Sequence, residues 1–255
     1  NNFKFYEELD EVIQREPSDL FSPELLGMAS AIGIQKGKPF NPSPAQKALL
    51  TEAVAIGNAT ARSILFGPQD PKNYIYPDKA GFWQTGFPGG SHEYLVNNGN
   101  GGRDMDGRTL FFYLATVNTP AMALEIPGVG SQYAFTSRDG RGAYLDGSNT
   151  YKLNIPANPP AQKFWSFVVY DPQTRSMLQS GEMPYPSKNN KRNADMVKNA
   201  DGSIDLYFGP DAPAGMEANW VKTVPGKGWF GIFRLYGPGQ AWFDRTWKLG
   251  DIEKI

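Results

Sequence analysis

Apolar positions along the chain change period near residue 128. Before it, the spacing is helical. Phe5, Leu9, Val12 and Ile13 recur at i, i+4, i+7 and i+8, predicting one apolar stripe on a helix that ends near Pro17. Ser22-Pro23 supplies an N-cap followed by proline at the first helical position, so a second helix is expected through Ile32, broken by Gly33, Gly37 and Pro39. Ser43-Pro44-Ala45-Gln46 has the spacing of a capping box and opens a third helix that runs to Phe66. Its apolar residues, including Leu49, Leu50, Ala53, Val54, Ile56 and Ile64, occupy more than one side, which predicts burial between neighbours. Residues 67–108 are crowded with Pro, Gly and Asn and read as one long loop, a length that is usually functional or packed by its own side chains. The run Thr109–Thr116 fits a buried strand or a helix, with helix favoured.

Beyond Gly128 the period becomes two. Asp139-Gly140, Asp146-Gly147 and Asp201-Gly202 mark tight turns between short aromatic and β-branched runs. Expected strands are Gln132–Ser137, Tyr151–Ile155, Phe164–Tyr170, Ser176–Gln179, Ile204–Phe208 and Trp229–Tyr236, with a last helical turn over Gln240–Trp247. Short strands between regular turns predict an α+β, mainly β chain: a short helical segment (1–66) followed by an antiparallel, jelly-roll-like β-sandwich (67–255). No internal repeat or low-complexity linker separates the two, so one shared core is expected.

Composition narrows the function classes. Sixteen Phe, twelve Tyr and six Trp beside 28 Gly and 21 Pro disfavour an all-helical protein. A chain of 255 residues can bury about 70% of its unfolded surface, so neither a disulfide nor a metal is needed for folding. The absence of cysteine excludes thiol catalysis and thiolate metal sites. A net charge of −1, with its densest basic cluster (Lys188–Arg192) interleaved with Asn, argues against nucleic acid as a partner. No apolar run approaches the roughly 18 residues of a membrane span. The opening Asn1-Asn2-Phe3 has no initiator Met and no signal-peptide pattern, which reads as a processed or trimmed product.

The string LDGSNTYKLNIPANPPAQKFWSFVVYDPQTRSML (145–178), followed by PGKGWFGIFRLYGP and AWFDRTWKLGDIEKI near the C-terminus, resembles the paired DUF1254 and DUF1214 families. The DUF1214 portion would span roughly residue 140 to the end. The helices of 1–66, with GNATAR at 57–62, resemble the segment that links the two, and a full DUF1254 domain would lie before residue 1. Gly250 stands where the resemblance leads one to expect proline. The resemblance implies a β-sandwich and a periplasmic or secreted location, but no reaction and no cofactor.

Candidate chemistry is sparse. His92 is the one histidine, so any serine-nucleophile triad must use it as general base, with Arg103 or Arg234 stabilising developing negative charge. A loop histidine bound to backbone is the plainer alternative. One histidine and no cysteine make a classical zinc site untenable. Asp104-Met105-Asp106-Gly107 opens like a calcium loop but lacks the later ligands, so a turn leading into a helix is the better reading and no metal is expected. Glu182 is a candidate acid or a surface carboxylate. Arg234 and Tyr236 share one strand face. With Asp244 and Trp247 they read either as a structural corner held by an Arg–Asp pair or as part of a ligand site. Trp83, Tyr94 and Tyr236 are candidate ligand-stacking aromatics. Three functions follow as expectations: a hydrolase acting on a small molecule or glycan between the long loop and the sandwich, a non-catalytic carbohydrate- or ligand-binding module, or a structural domain that buries its aromatic face in a homo-oligomer.

Overall fold

The computed structural model of the chain describes residues 2–255 apart from Lys79, Thr116 and Glu182. Two compact units divide the chain between Ser63 and Ile64, the first with one buried cluster and the second with two.

The first unit is helical: α1 (Lys4–Arg15), α2 (Pro23–Ala31) and most of α3 (Pro44–Phe66). Ser22 and Ser43 act as expected at the helix starts, their hydroxyls accepting from the backbone N–H of Leu25 (3.3 Å) and Gln46 (3.2 Å). Gln46 does not close the capping box, because its amide donates instead to the Ile32 carbonyl at 2.8 Å. The buried stripe of α1 differs from the expected one. Tyr6, Leu9 and Ile13 pack inward at i, i+3 and i+7, while Phe5 and Val12 are exposed. On α3, Leu50 and Val54 join this small core, whereas Leu49 and Ile56 are exposed, so the helix is not apolar-packed on several sides.

The second unit is a β-sandwich. One sheet has the order β1-β7-β3-β4, from β1 (Ser131–Thr136), β7 (Phe230–Pro238), β3 (Ala161–Tyr170) and β4 (Ser187–Asn189). The other has the order β6-β5-β2-β8, from β6 (Trp220–Lys222), β5 (Ile204–Gly209), β2 (Tyr151–Ile155) and β8 (Ile252–Lys254). All pairings are antiparallel except β5 with β6. Alternate residues from both sheets meet in one core. Trp165, Phe167 and Val169 of β3 and Phe233 and Leu235 of β7 face Leu153 of β2, Leu206 and Phe208 of β5 and Ile252 of β8. The Phe167 and Phe208 rings join the layers at 4.8 Å.

Ser176–Gln179 is not a strand. Asp171 Oδ1 accepts from Gln173 N–H (2.7 Å), and Arg175 takes a left-handed φ of +60°, so the chain turns sharply and only Met177 bridges back to Tyr170. Thr109–Leu114 is helical, within α4 (Met105–Leu114), and Thr116 lies outside the described residues. The last helical turn, α6 (Gln240–Phe243), stops before Asp244. Among the described residues no helix is long and apolar enough to cross a membrane.

Candidate functional site

Sheet β1-β7-β3-β4 has a second apolar face. On β7, Phe230 and Ile232 point away from the sandwich core and pack with Phe135 of β1, Leu110 of α4 and Leu65 and Phe66 at the end of α3. Arg234 and Tyr236 continue on that face, as their alternation requires. Tyr236 is occupied there by Phe164, whose ring stacks on it at 4.1 Å.

Between this face and α4 lies a cavity of about 230 Å³. Its floor is built by Tyr133, Phe135, Tyr170, Phe230, Ile232 and Arg234. Its roof comes from Gly86 and Phe87 of the long loop, Phe111 and Leu114 of α4, and Met122 of α5 (Pro120–Ala123). Arg175 enters from the sharp turn after β3. The roof is fixed by local chemistry. Asp104 caps α4 by accepting from Gly107 N–H (2.9 Å), and its other oxygen meets Lys72 Nζ at 3.0 Å. The Asp-x-Asp-Gly string is therefore a helix start. Phe87 lies against Phe111 (4.8 Å) and Tyr94 (6.2 Å), and Tyr94 is itself buried. Burial pushes the Tyr94 hydroxyl up to about 12, so it stays protonated.

The polar groups of the cavity are unusual. Arg234 donates through Nη2 to the Tyr170 hydroxyl and lies 5.7 Å from the Tyr133 ring centroid. Its Nε is buried with no hydrogen-bond partner. Arg175 sits 4.1 Å over the Tyr113 ring and donates to the Gln173 carbonyl at 2.9 Å. Among the described residues, no carboxylate lies within ion-pair reach of either guanidinium. Burial raises the Tyr170 pKa against the opposing pull of the Arg234 charge, so the phenol is neutral at ordinary pH.

Of the candidate catalytic and ligand-stacking residues, Arg234 alone lines the cavity, with Phe87, another aromatic of the long loop, in its roof. Tyr94 supports the roof from behind Phe87. Trp83 is fully buried, its indole donating to the Gly250 carbonyl at 3.0 Å, so it offers no open ring face for stacking a sugar. His92 is tied down by its backbone carbonyl, which accepts from Asn118 Nδ2 at 2.8 Å. Among the described residues no hydrogen bond links its ring to a serine or carboxylate. Arg103 is exposed and donates to the Glu93 carbonyl. The expected Arg–Asp corner is not formed: Asp244 accepts from Thr246 instead, and Trp247 stacks on Phe233 at 5.9 Å. Glu182 lies outside the described residues. Sequence reading missed Arg175, Tyr170 and the α4 wall, whose only shared signal is position in the fold.

Residues 130–240 match the model of DUF1214, a protein family of unknown function. The DUF1214 segment supplies the whole floor of the cavity and Arg175, while the roof precedes it in the chain. No curated protein matches. Among solved structures, the VPA0106 protein from Vibrio parahaemolyticus is similar at 19% identity and a TM-score of 0.46, over 98% of this chain and 55% of that one. An uncharacterised protein from Burkholderia cenocepacia is similar at 15% identity and a TM-score of 0.38, over 91% of this chain and 48% of that one. This chain thus spans about half the length of both structures.

Proposed function

We propose that the sandwich unit is a non-catalytic binding module whose small-molecule ligand occupies the cavity between α4 and the outer face of β1-β7-β3-β4. One observation carries this reading: an apolar, aromatic-lined cavity with a few convergent polar groups, lined among the described residues by no histidine, carboxylate or serine. Hydrolysis needs a nucleophile and a base within hydrogen-bond reach of the reacting atom. The lining holds hydroxyls such as that of Thr85 but, among the described residues, no base to activate them, and His92 is not part of it. Glycan stacking needs exposed rings, and burial of Trp83 and Tyr94 counts against it. The likeness of residues 1–66 to the linker between the two families supports a setting beside a DUF1254 domain, in an envelope-associated protein.

The test uses 1-octanol as an apolar probe and calorimetric titration. Wild type should bind one equivalent with a negative heat-capacity change. Ala115→Phe, which adds a ring at the cavity wall, should abolish that binding while the melting temperature is kept, and His92→Ala should leave it unchanged. Equal binding by wild type and Ala115→Phe, or its loss in His92→Ala, would remove the cavity as the site.

A further inference from the structure

The apolar cavity holds positive charge at Arg234 and Arg175. A guanidinium cannot be neutralised at any ordinary pH. Arg234 is nonetheless held half-buried against two tyrosine rings, with Nε lacking any partner and no carboxylate among the described residues to balance it. A desolvated charge without a counter-ion is costly, and one hydrogen bond to Tyr170 and two ring contacts offset only part of that cost. Arg175 repeats the pattern at the edge of the same cavity, held in a left-handed turn beside a ring and a carbonyl and, among the described residues, no carboxylate. Two cations converging on one apolar space, neither with a described counter-ion, describe a receptor for an apolar anion.

Resting on the cavity reading, we infer that the ligand is a carboxylate with an apolar body, its head received by Arg234 and Tyr170 and its charge shared by Arg175. A carboxylate is flat and accepts bidentately from one guanidinium edge, and on the Nε edge of Arg234 the Nε hydrogen is unspent while Nη2 has a second hydrogen beside the one given to Tyr170. The Tyr170 hydroxyl accepts from Nη2 and so keeps its own proton to donate to the second oxygen. Size follows from volume. A cavity of roughly 150 Å³ holds benzene, so about 230 Å³ suits a ligand of about ten non-hydrogen atoms, body and head together. The body would lie along Phe111, Leu114 and Ile232.

The experiment titrates wild type, Arg234→Gln and Arg175→Gln at neutral pH with four eight-carbon probes: octanoate, 1-octanol, octylamine and octyl phosphate. Octanoate should bind wild type at least about tenfold more tightly than 1-octanol, the scale of one charge-assisted hydrogen-bonded pair, with octylamine weakest. Arg234→Gln should bring octanoate down to the level that 1-octanol reaches on wild type, with an unchanged melting temperature showing that the variant is folded. Arg175→Gln should weaken octanoate less, by about threefold, as a rim charge does. Should Arg234→Gln fail to fold, the ranking of the four probes on wild type decides alone. Equal binding of octanoate and 1-octanol would overturn the carboxylate while leaving the apolar cavity standing. Tighter binding of octyl phosphate than octanoate would also overturn it. No binding by any probe would overturn both readings together.

Discussion

Strand β7 presents two faces that differ in what they meet. Phe233 and Leu235 enter the sandwich core, where rings from both sheets interdigitate. Phe230, Ile232 and Arg234, one residue out of phase, face the space under α4, which is only partly filled. Both faces are apolar, yet only one is closed by a second sheet of matched twist. The other is closed by a ten-residue helix and a loop, whose few side chains cannot cover the same area. The inner face is where stability resides, and the outer face is where room and an unpaired charge are tolerated.

Mutations on alternate residues should expose the difference. Phe233→Ala and Phe167→Ala each remove a fully buried ring and should cost about 3–5 kcal/mol in urea denaturation. Ile232→Ala, at the edge of space that is already empty, should cost about 2 kcal/mol, the low end for such a truncation. Equal losses on both faces would mean that the outer face is packed as tightly as the inner. Overfilling sharpens the same contrast. A Cβ at Gly231 would stand 2.2 Å from the Phe167 ring, so Gly231→Ala should lose about 1–3 kcal/mol. At Gly86, on the cavity roof, a Cβ would meet Phe111 at 3.5 Å, an ordinary contact, so Gly86→Ala should leave the melting temperature nearly unchanged.

The inner face was readable from the sequence because its signal is local. Alternation in Tyr151–Ile155 and Ile204–Phe208 located β2 and β5 almost to the residue, and Ser22 and Ser43 marked two helix starts. Strands β4, β6 and β8 escaped notice because three residues carry no period. Asp146-Gly147 was recognised as a turn, but the need for glycine there is a close approach. A Cβ would stand 2.2 Å from the Val224 carbonyl, a neighbour far along the chain. The site was less legible still. Its floor, roof and rim come from residues 85 to 234, and no spacing connects Arg175 with Arg234 or sets Phe111 opposite Ile232. Trp83 and Tyr94 are candidate stacking rings by residue type, yet type cannot tell a buried ring such as Trp83 from one that faces a ligand.

The charge on the outer face yields a smaller effect with an informative sign. Replacing Arg234 by Met keeps length and apolar contact while removing a desolvated cation that has no carboxylate partner among the described residues. The unliganded protein should therefore be unchanged or more stable, by about 1 kcal/mol. A loss of 2 kcal/mol or more would show that Arg234 is a structural tie to Tyr170 rather than a charge awaiting a ligand.

The smallest effect is alkaline. Burial raises the Tyr170 pKa, so the folded state holds its proton above pH 10, where the unfolded chain releases it. That group's contribution is therefore complete below pH 10 and declines as pH rises through the folded-state value. Tyr94, raised to about 12 by burial, extends the decline further. Arg234 works against the shift at Tyr170, because its positive charge favours the phenolate. Ultraviolet titration of Arg234→Met should accordingly show one tyrosine ionising later than in wild type, with Tyr94 unmoved. An earlier or unchanged ionisation would mean that the guanidinium and the phenol do not share the outer face as their hydrogen bond implies.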